Sequence, residues 1–307
     1  MSTKSFNLFV KNKILPFKKK IKVDSDKSIS IRSFLLGSIS QNITSVKNVL
    51  ESEDVLTTIN CLKKLGVKIV KKKTSEYLVY GKGLGSMVAK KNTILNFGNS
   101  GTLARLLIGI LSSTPNIQIK IKGDSSLNKR SMKKLIILMT EFGAIFFPKN
   151  KFCFPLKMSS TNLPVGIKYR SGVSAQLKSA VILAGLNANG NTEIIEQEKS
   201  RDHTENILLK NIQTIKVKNS KKKSITVYGK QYLRPIHINV PGDPSAAAFF
   251  TALTLLNQNS YLKIKNVGLN STRTGFYQLL KKQGAKIQFK NLKSYVSDVF
   301  IFNSVSF

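Results

Sequence analysis

Residues 98–147 read "GNSGTLARLLIGILSSTPNIQIKIKGDSSLNKRSMKKLIILMTEFGAIFF" and contain every kind of segment the chain uses. A polar cluster opens "TLARLLIGIL" (102–111), which is apolar nearly all round and therefore reads as a buried helix. "IQIKIKG" (117–123) then alternates apolar residues with lysine, the pattern of a strand with one dry and one wet face. A second polar cluster opens an amphipathic helix in which Leu135, Leu138, Met139 and Phe142 form the apolar stripe. Gly143 supplies its expected C-terminal stop.

The same order recurs along the chain. "SIRSFLLGSI" (30–39), "AQLKSAVILAGL" (175–186) and "SAAAFFTALTLL" (245–256) are further helices of the buried kind. Gly37, Gly109 and Gly185 close the first three of them. "SEDVLTTINCLKKLGVKI" and "STRTGFYQLLKKQGAKI" are amphipathic and stop at Gly66 and Gly284, whereas "SRDHTENILLKNIQTIKV" (200–217) carries Asn211 near that point. A unit of about seventy residues thus occurs four times, preceded by one additional N-terminal strand. Helices that are apolar on all sides, combined with half-wet strands, predict an α/β (α+β) fold of repeated units with helices inside and sheets outside. The lysines then line the solvent faces of the sheets.

The totals bound the function. The 307 residues, 41% of them hydrophobic, suffice for one large domain or two ordinary ones. No apolar run is long enough to span a membrane, and "MSTKSFNLFVKNKILPFKKK" lacks the pattern of a signal peptide, so a cytoplasmic protein is expected. Cys61 and Cys153 fall in no metal-ligand spacing, and His203 and His237 are the only histidines, so no metal site is expected and both thiols read as packing residues. The net charge of +35 raises the possibility of a nucleic-acid partner. Lysine, asparagine and isoleucine are all abundant, however, as a bias toward AT-rich codons would make them. The lysines are scattered, without aromatic interleaving along the chain or any RNP, zinc-finger or helix-turn-helix pattern, so nucleic acid is not expected as the main partner. In such a composition the seven arginines are the informative cations, because a planar fork suits phosphate and carboxylate. Five lie at the mouth or first turns of a predicted helix, where anions bind.

The polar clusters that open the helices carry a specific resemblance. "DKSISIR", "GNSGTLAR", "GDSSLNKR", "SAQLKSAVILAGL", "SRDHTE", "VPGDPSAAAFF" and "LNSTRTG" stand in the order and spacing of the 3-phosphoshikimate 1-carboxyvinyltransferases, or EPSP synthases, and the sequence resembles that family over essentially its whole length. The resemblance implies an inside-out α/β, barrel-like architecture of six repeats in two domains. Residues 26–240 would form a complete three-repeat domain, and 1–25 with 241–307 part of a second whose remaining repeats are absent. It implies transfer of the enolpyruvyl group of phosphoenolpyruvate to the 5-hydroxyl of shikimate 3-phosphate, the chorismate-forming route to aromatic amino acids, by a monomeric enzyme without metal or organic cofactor. The family's general base would lie beyond Phe307, so reduced or absent activity is expected of this chain alone.

Carried over residue by residue, the resemblance implies that Lys27 touches both substrates. Ser28, Arg32, Ser174, Gln176 and Arg201 would hold shikimate 3-phosphate. Gly101 and Arg130 would hold phosphoenolpyruvate together with Gln176. Ser131 stands where the family usually has proline, and Ala175 where its other branch has serine. Against these roles stand plainer ones: a solvated Lys27, Ser28 as an N-cap, Arg201 as an exposed first-turn arginine. Asp202 and Glu205 have capping-box spacing and His203 reads as structural, as do Asp243 and Arg273. Arg105, one turn inside a buried helix, is expected to pair with a carboxylate or with loop carbonyls rather than to bind ligand. Two rival functions remain: the sister enolpyruvyltransferase acting on a UDP-amino sugar, whose loop cysteine neither Cys61 nor Cys153 matches, and a basic nucleic-acid-binding protein.

Overall fold

The computed structural model describes residues 9, 13–211, 213–219, 222–293 and 296–303; most of the N-terminal stretch read for a leader lies outside them. From the N-terminus, β1 (Lys18–Lys22) leads into α1 (Lys27–Ile39), β2 (Ile43–Lys47), α2 (Glu53–Lys64) and the hairpin β3 (Lys68–Lys73) and β4 (Glu76–Tyr80). The second repeat runs β5 (Ile94–Asn96), α3 (Gly101–Ser112), β6 (Gln118–Lys122), α4 (Ser125–Lys129), α5 (Lys133–Glu141), β7 (Ile145–Phe147) and β8 (Leu156–Ser159). The third runs β9 (Lys168–Ser171), α6 (Ala175–Gly185), β10 (Asn191–Glu196), α7 (His203–Leu208), β11 (Ile215–Asn219) and β12 (Lys223–Tyr228). The last runs β13 (Ile238–Asn239), α8 (Pro244–Leu256), β14 (Ser260–Gly268), α9 (Gly275–Lys282), β15 (Lys286–Lys293) and β16 (Val296–Asn303).

Each repeat builds a four-stranded sheet with one strand order. In β5-β6-β8-β7 and β9-β10-β12-β11 the first two strands are parallel and the rest antiparallel. The other two sheets keep this order but exchange their first strands. β13, which precedes α8 in the chain, pairs in parallel with β2, and β1, which precedes α1, pairs in parallel with β14. The additional N-terminal strand expected from the sequence is therefore the missing first strand of the fourth repeat. The exchange separates two compact units: Ser25–Pro241 holds three sheets, and the residues up to Asp24 together with those from Gly242 hold the fourth.

Within Ser25–Pro241, α1, α3 and α6 are buried along nearly their whole length, while β6 and β10 alternate buried and exposed residues. Helices lie inside and sheets outside, as the pattern requires. Close approach demands small residues: a Cβ on Gly109 of α3 would stand 2.6 Å from the Ala180 carbonyl oxygen of α6. The returning segment before α8 closes this unit. Leu233, Ile236, Ile238 and Val240 are all buried in the same core, and the Asp26 amide, which opens α1, donates to the Pro241 carbonyl (2.8 Å).

Three sequence expectations need correction. The helix predicted in 200–217 is only the six residues of α7: the chain then turns, the Asn211 and Thr214 amides donating to the Leu208 and Asn211 carbonyls, before it enters β11. The amphipathic segment at 129–142 is split: Arg130 caps the C-terminus of α4 in extended conformation, and a new helix starts at Lys133. Finally, α8 is apolar all round but not buried all round, with Phe249 79% and Leu256 85% exposed. Among the described residues, α8 is the one helix of its kind in its unit, so its side away from the sheet has no sister helix there to pack on. Replacing Ile236 by Ala is expected to cost about 2–5 kcal/mol; Phe249→Ala should change stability by less than about 0.5 kcal/mol. Urea unfolding midpoints of the two variants check both values.

Candidate functional site

Most of the candidate substrate residues lie at helix entrances of the Ser25–Pro241 unit, where unsatisfied backbone N–H groups and the helix dipole favour anions; Arg130 instead follows the C-terminus of α4. At the entrance of α1 the Asp26 carboxylate accepts from the Ile29 amide (2.9 Å) and fills the N-cap. Ser28 is therefore not the cap, and its hydroxyl is not spent on capping. Lys27 is half exposed and pairs with Asp54 of α2 at 2.9 Å. Arg32, one turn on, is 4% exposed. Its guanidinium donates to the hydroxyls of Thr204 (2.9 Å) and Ser179 (3.2 Å) and to the Ser28 carbonyl (3.1 Å), so α1, α6 and α7 meet at this one side chain.

A second cluster joins α3, α6 and the turn after α4. Ser100 and Ser174 cap α3 and α6, each accepting from the amide three residues on. Arg105 Nη1 donates to the Gly101 carbonyl (3.0 Å) and to Gln176 Oε1 (2.9 Å), while Gln176 Nε2 donates to Thr102 Oγ1 (2.8 Å). The Gln176 amide is thus clamped at both ends. Arg130 donates to Asn99 Oδ1 (2.6 Å) and Ser126 Oγ (3.3 Å). A Cβ on Gly101 would lie 2.7 Å from Arg105 Nη1 and 3.4 Å from Arg130 Nη1, so both guanidinium groups crowd the glycine. Burial, and then the neighbouring Arg130 charge, holds the Arg105 guanidinium below its ordinary value. Two adjacent cations, Arg105 half-buried and Arg130 exposed, leave an electropositive patch at the entrance of α3 that suits an anion.

Sequence reasoning expected Arg105 to find a carboxylate or loop carbonyls; it finds one carbonyl and the side-chain amide of Gln176. The sequence carries no signal for the bonds of Asn99, Thr102, Ser179 and Thr204, although Asn99 and Thr102 stand in "GNSGT" and Thr204 in "SRDHTE". Their partners lie on other helices, which a linear pattern does not reveal.

Arg201 is exposed, on the loop before α7, and that loop is tethered from beneath. Glu196, at the end of β10, accepts from the Ser200 amide (2.9 Å) and hydroxyl (2.8 Å) and from Lys178 (2.6 Å). Lys178 of α6 is fully buried and also pairs with Glu205 at 2.7 Å, while Lys223 approaches both carboxylates at 3.6 and 3.8 Å. Glu205 therefore serves a buried ion cluster instead of the capping box its spacing suggested. Burial pushes the Glu196 carboxyl up, but hydrogen bonds from Lys178 and Ser200 outweigh it and leave the group below the ordinary glutamate value. Among the described residues, no group of three or more His, Cys, Asp or Glu is placed to hold a metal ion. Burial pushes the Cys61 thiol up to about 12, so it is not a thiolate at neutral pH. No helix among those residues is long and apolar enough to cross a membrane.

The family model described as EPSP synthase (3-phosphoshikimate 1-carboxyvinyltransferase) matches residues 11–300. This chain belongs to the EPSP synthase family. A 3-phosphoshikimate 1-carboxyvinyltransferase of Sulfurihydrogenibium sp. (strain YO3AOP1) is 41% identical over 289 residues, covering 92% of this chain and 66% of the relative. One from Bacillus subtilis (strain 168) is 41% identical over 283 residues, covering 91% and 64%. The solved EPSP synthase of Acinetobacter baumannii superposes with a TM-score of 0.85 at 36% identity, over 95% of this chain and 66% of that one. The chain thus spans just under two thirds of the length of the EPSP synthases it matches.

Two expectations follow for this EPSP synthase family site. Removing the buried cation by Lys178→Met should cost about 3–5 kcal/mol at neutral pH, because two carboxylates are left without it. In the parent chain the Glu196 contribution is complete above the ordinary glutamate value and lost as pH falls through the lower folded value. Urea titrations at stepped pH measure both effects. Gly101→Ala should push the Arg105 guanidinium off Gln176, and Arg105→Met should remove the same bond; both are expected to move the Gln176 side-chain amide resonances, the readout being a 15N–1H spectrum.

Proposed function

We propose that this chain binds shikimate 3-phosphate and phosphoenolpyruvate and contributes to enolpyruvyl transfer between them, with 5-enolpyruvylshikimate 3-phosphate and phosphate as products. The observation that carries this reading is the pair of cationic clusters at the entrances of α1, α3 and α6, in a chain of the EPSP synthase family. In this reading Ser28, Arg32, Ser174, Gln176 and Arg201 hold the phosphate and hydroxyls of shikimate 3-phosphate. Gly101 and Arg130, with Gln176, hold phosphoenolpyruvate, and Lys27 reaches both after leaving Asp54. Gly101 has no side chain because one would occupy the space between the guanidinium groups and the anion. The chemistry asked of these groups is orientation of two anions and stabilisation of charge as phosphate departs. No general base is assigned to any residue here.

The sister reaction on a UDP-amino sugar is the reading to exclude. Shikimate 3-phosphate at about a hundred times its Kd should stabilise the chain by about 2.7 kcal/mol, a rise in melting temperature of about 5–10 °C. UDP-N-acetylglucosamine should give none. Arg201→Gln should weaken shikimate 3-phosphate more than tenfold, the loss of a charge-assisted hydrogen bond. Arg130→Gln should spare that binding and remove the additional shift produced by phosphoenolpyruvate. A shift with the UDP-sugar alone would reverse the assignment.

A further inference from the structure

Every sheet of this protein carries lysines on its outer face, but the β1-β14-β16-β15 sheet carries something more. Strand alternation sends Leu262, Ile264, Val299 and Ile301 into its core and their neighbours outward. The register then stacks the outward residues in rows. Lys18 stands beside Tyr261, which faces Phe302; Lys20 stands beside Lys263, which faces Phe300; Lys22 stands beside Lys265, and Lys290 faces Asp298. Three aromatic rings therefore form one stripe across the centre of the face, with lysines on both flanks. The Tyr261 ring lies 5.0 Å from that of Phe302 and 6.5 Å from that of Phe300. The ammonium groups of Lys263 and Lys290 stand over Phe300 at 4.6 and 5.4 Å.

The other three sheets lack this arrangement. Among their described strand residues, each outer face offers one aromatic: Tyr80, Phe147 or Tyr228. Lysines also outnumber carboxylates among the described strand residues of the aromatic face. Asp298 is engaged by Lys263 (2.9 Å) and Asn291 (3.1 Å), while Lys20, in solvent, is held below its ordinary value by the neighbouring Lys265, whose positive charge disfavours its own. Ammonium groups pressed together in this way gain from a polyanion that neutralises both.

We propose that the outer face of the β1-β14-β16-β15 sheet binds single-stranded nucleic acid, with bases stacking on Tyr261, Phe300 and Phe302 and phosphates running along the lysines of β1, β14 and β15. A row of half-exposed rings on a sheet suits bases that are free to unstack, and flanking cations track a backbone. A duplex hides its base faces from such a surface. The activity is additional to enolpyruvyl transfer and independent of it, since none of these residues belongs to the substrate clusters.

The test is fluorescence anisotropy of the full chain with labelled oligouridylate of about 12 nucleotides, a span suited to one small sheet, with the matching duplex as competitor and salt varied between about 50 and 200 mM. The single strand should bind with a steep salt dependence and outcompete duplex. Phe300→Leu should weaken binding about tenfold or more with the salt slope unchanged, and Phe300→Trp, which keeps a ring, should retain it. Lys20→Gln with Lys265→Gln should lower the slope by about 1.4. The control pair Lys120→Gln and Phe147→Leu, on another sheet, should do neither. Equal affinity for duplex, an equal loss in the control pair, loss in Phe300→Trp as large as in Phe300→Leu, or competition by phosphatidylserine vesicles as effective as by oligouridylate would each overturn the proposal. The charge would then be acting without the rings.

Discussion

Parallel pairing between β13 and β2 is two residues long, yet the Ser25–Pro241 unit depends on it. It brings the end of the third repeat back to the first, completes the first sheet, and buries Leu233, Ile236, Ile238 and Val240 in the shared core. Three apolar helices can then cover one another, which none of the three repeats could arrange alone. The same return fixes the entrance of α1 through the Asp26–Pro241 hydrogen bond and so sets where Lys27, Ser28 and Arg32 stand. The site is held by the closure of the ring of repeats as much as by its own hydrogen bonds.

Cations in this unit fall into two electrostatic situations. Lys178 sits between two carboxylates in a buried cluster that ties β10, α6 and α7 together and anchors the loop of Arg201. Arg105 and Arg130 instead crowd each other beside Gly101, with carbonyl, amide and hydroxyl partners only. A cation of the first kind has its counter-charge built in and is structural. Those of the second kind leave positive potential directed at a helix entrance. Desolvation magnifies the difference, because burial strengthens the attraction in the cluster, while beside Gly101 Arg105 is half-buried and Arg130 exposed.

Lysine abundance made the arginines the readable cations, and Arg32, Arg105 and Arg130 do sit in the clusters. The same abundance concealed Lys178, which is fully buried yet looks in the sequence like one lysine among many. Glu205 was legible as a helix-entrance acid, but its partner Lys178 stands on α6, distant along the chain and in contact with it only in the folded unit. The aromatic stripe was hidden for the same reason: Tyr261, Phe300 and Phe302 share a face only because β14 and β16 are neighbours in register. Along the chain their interleaving with lysine is invisible.

The sequence by itself determined the elements and their sidedness. Alternating strands, all-round apolar helices and recurring glycines dictate repeats with sheets outside and helices inside, because burial of apolar surface follows from period alone. The ordered motifs likewise marked the helix entrances at which the cationic clusters form. Only the tertiary structure decided that first strands are exchanged between repeats, that Gln176 is clamped by Arg105 and Thr102, and that one apolar helix keeps an open face. Each of these depends on which segments become neighbours in space, and that choice is made by the packing of whole repeats rather than by any local run of residues.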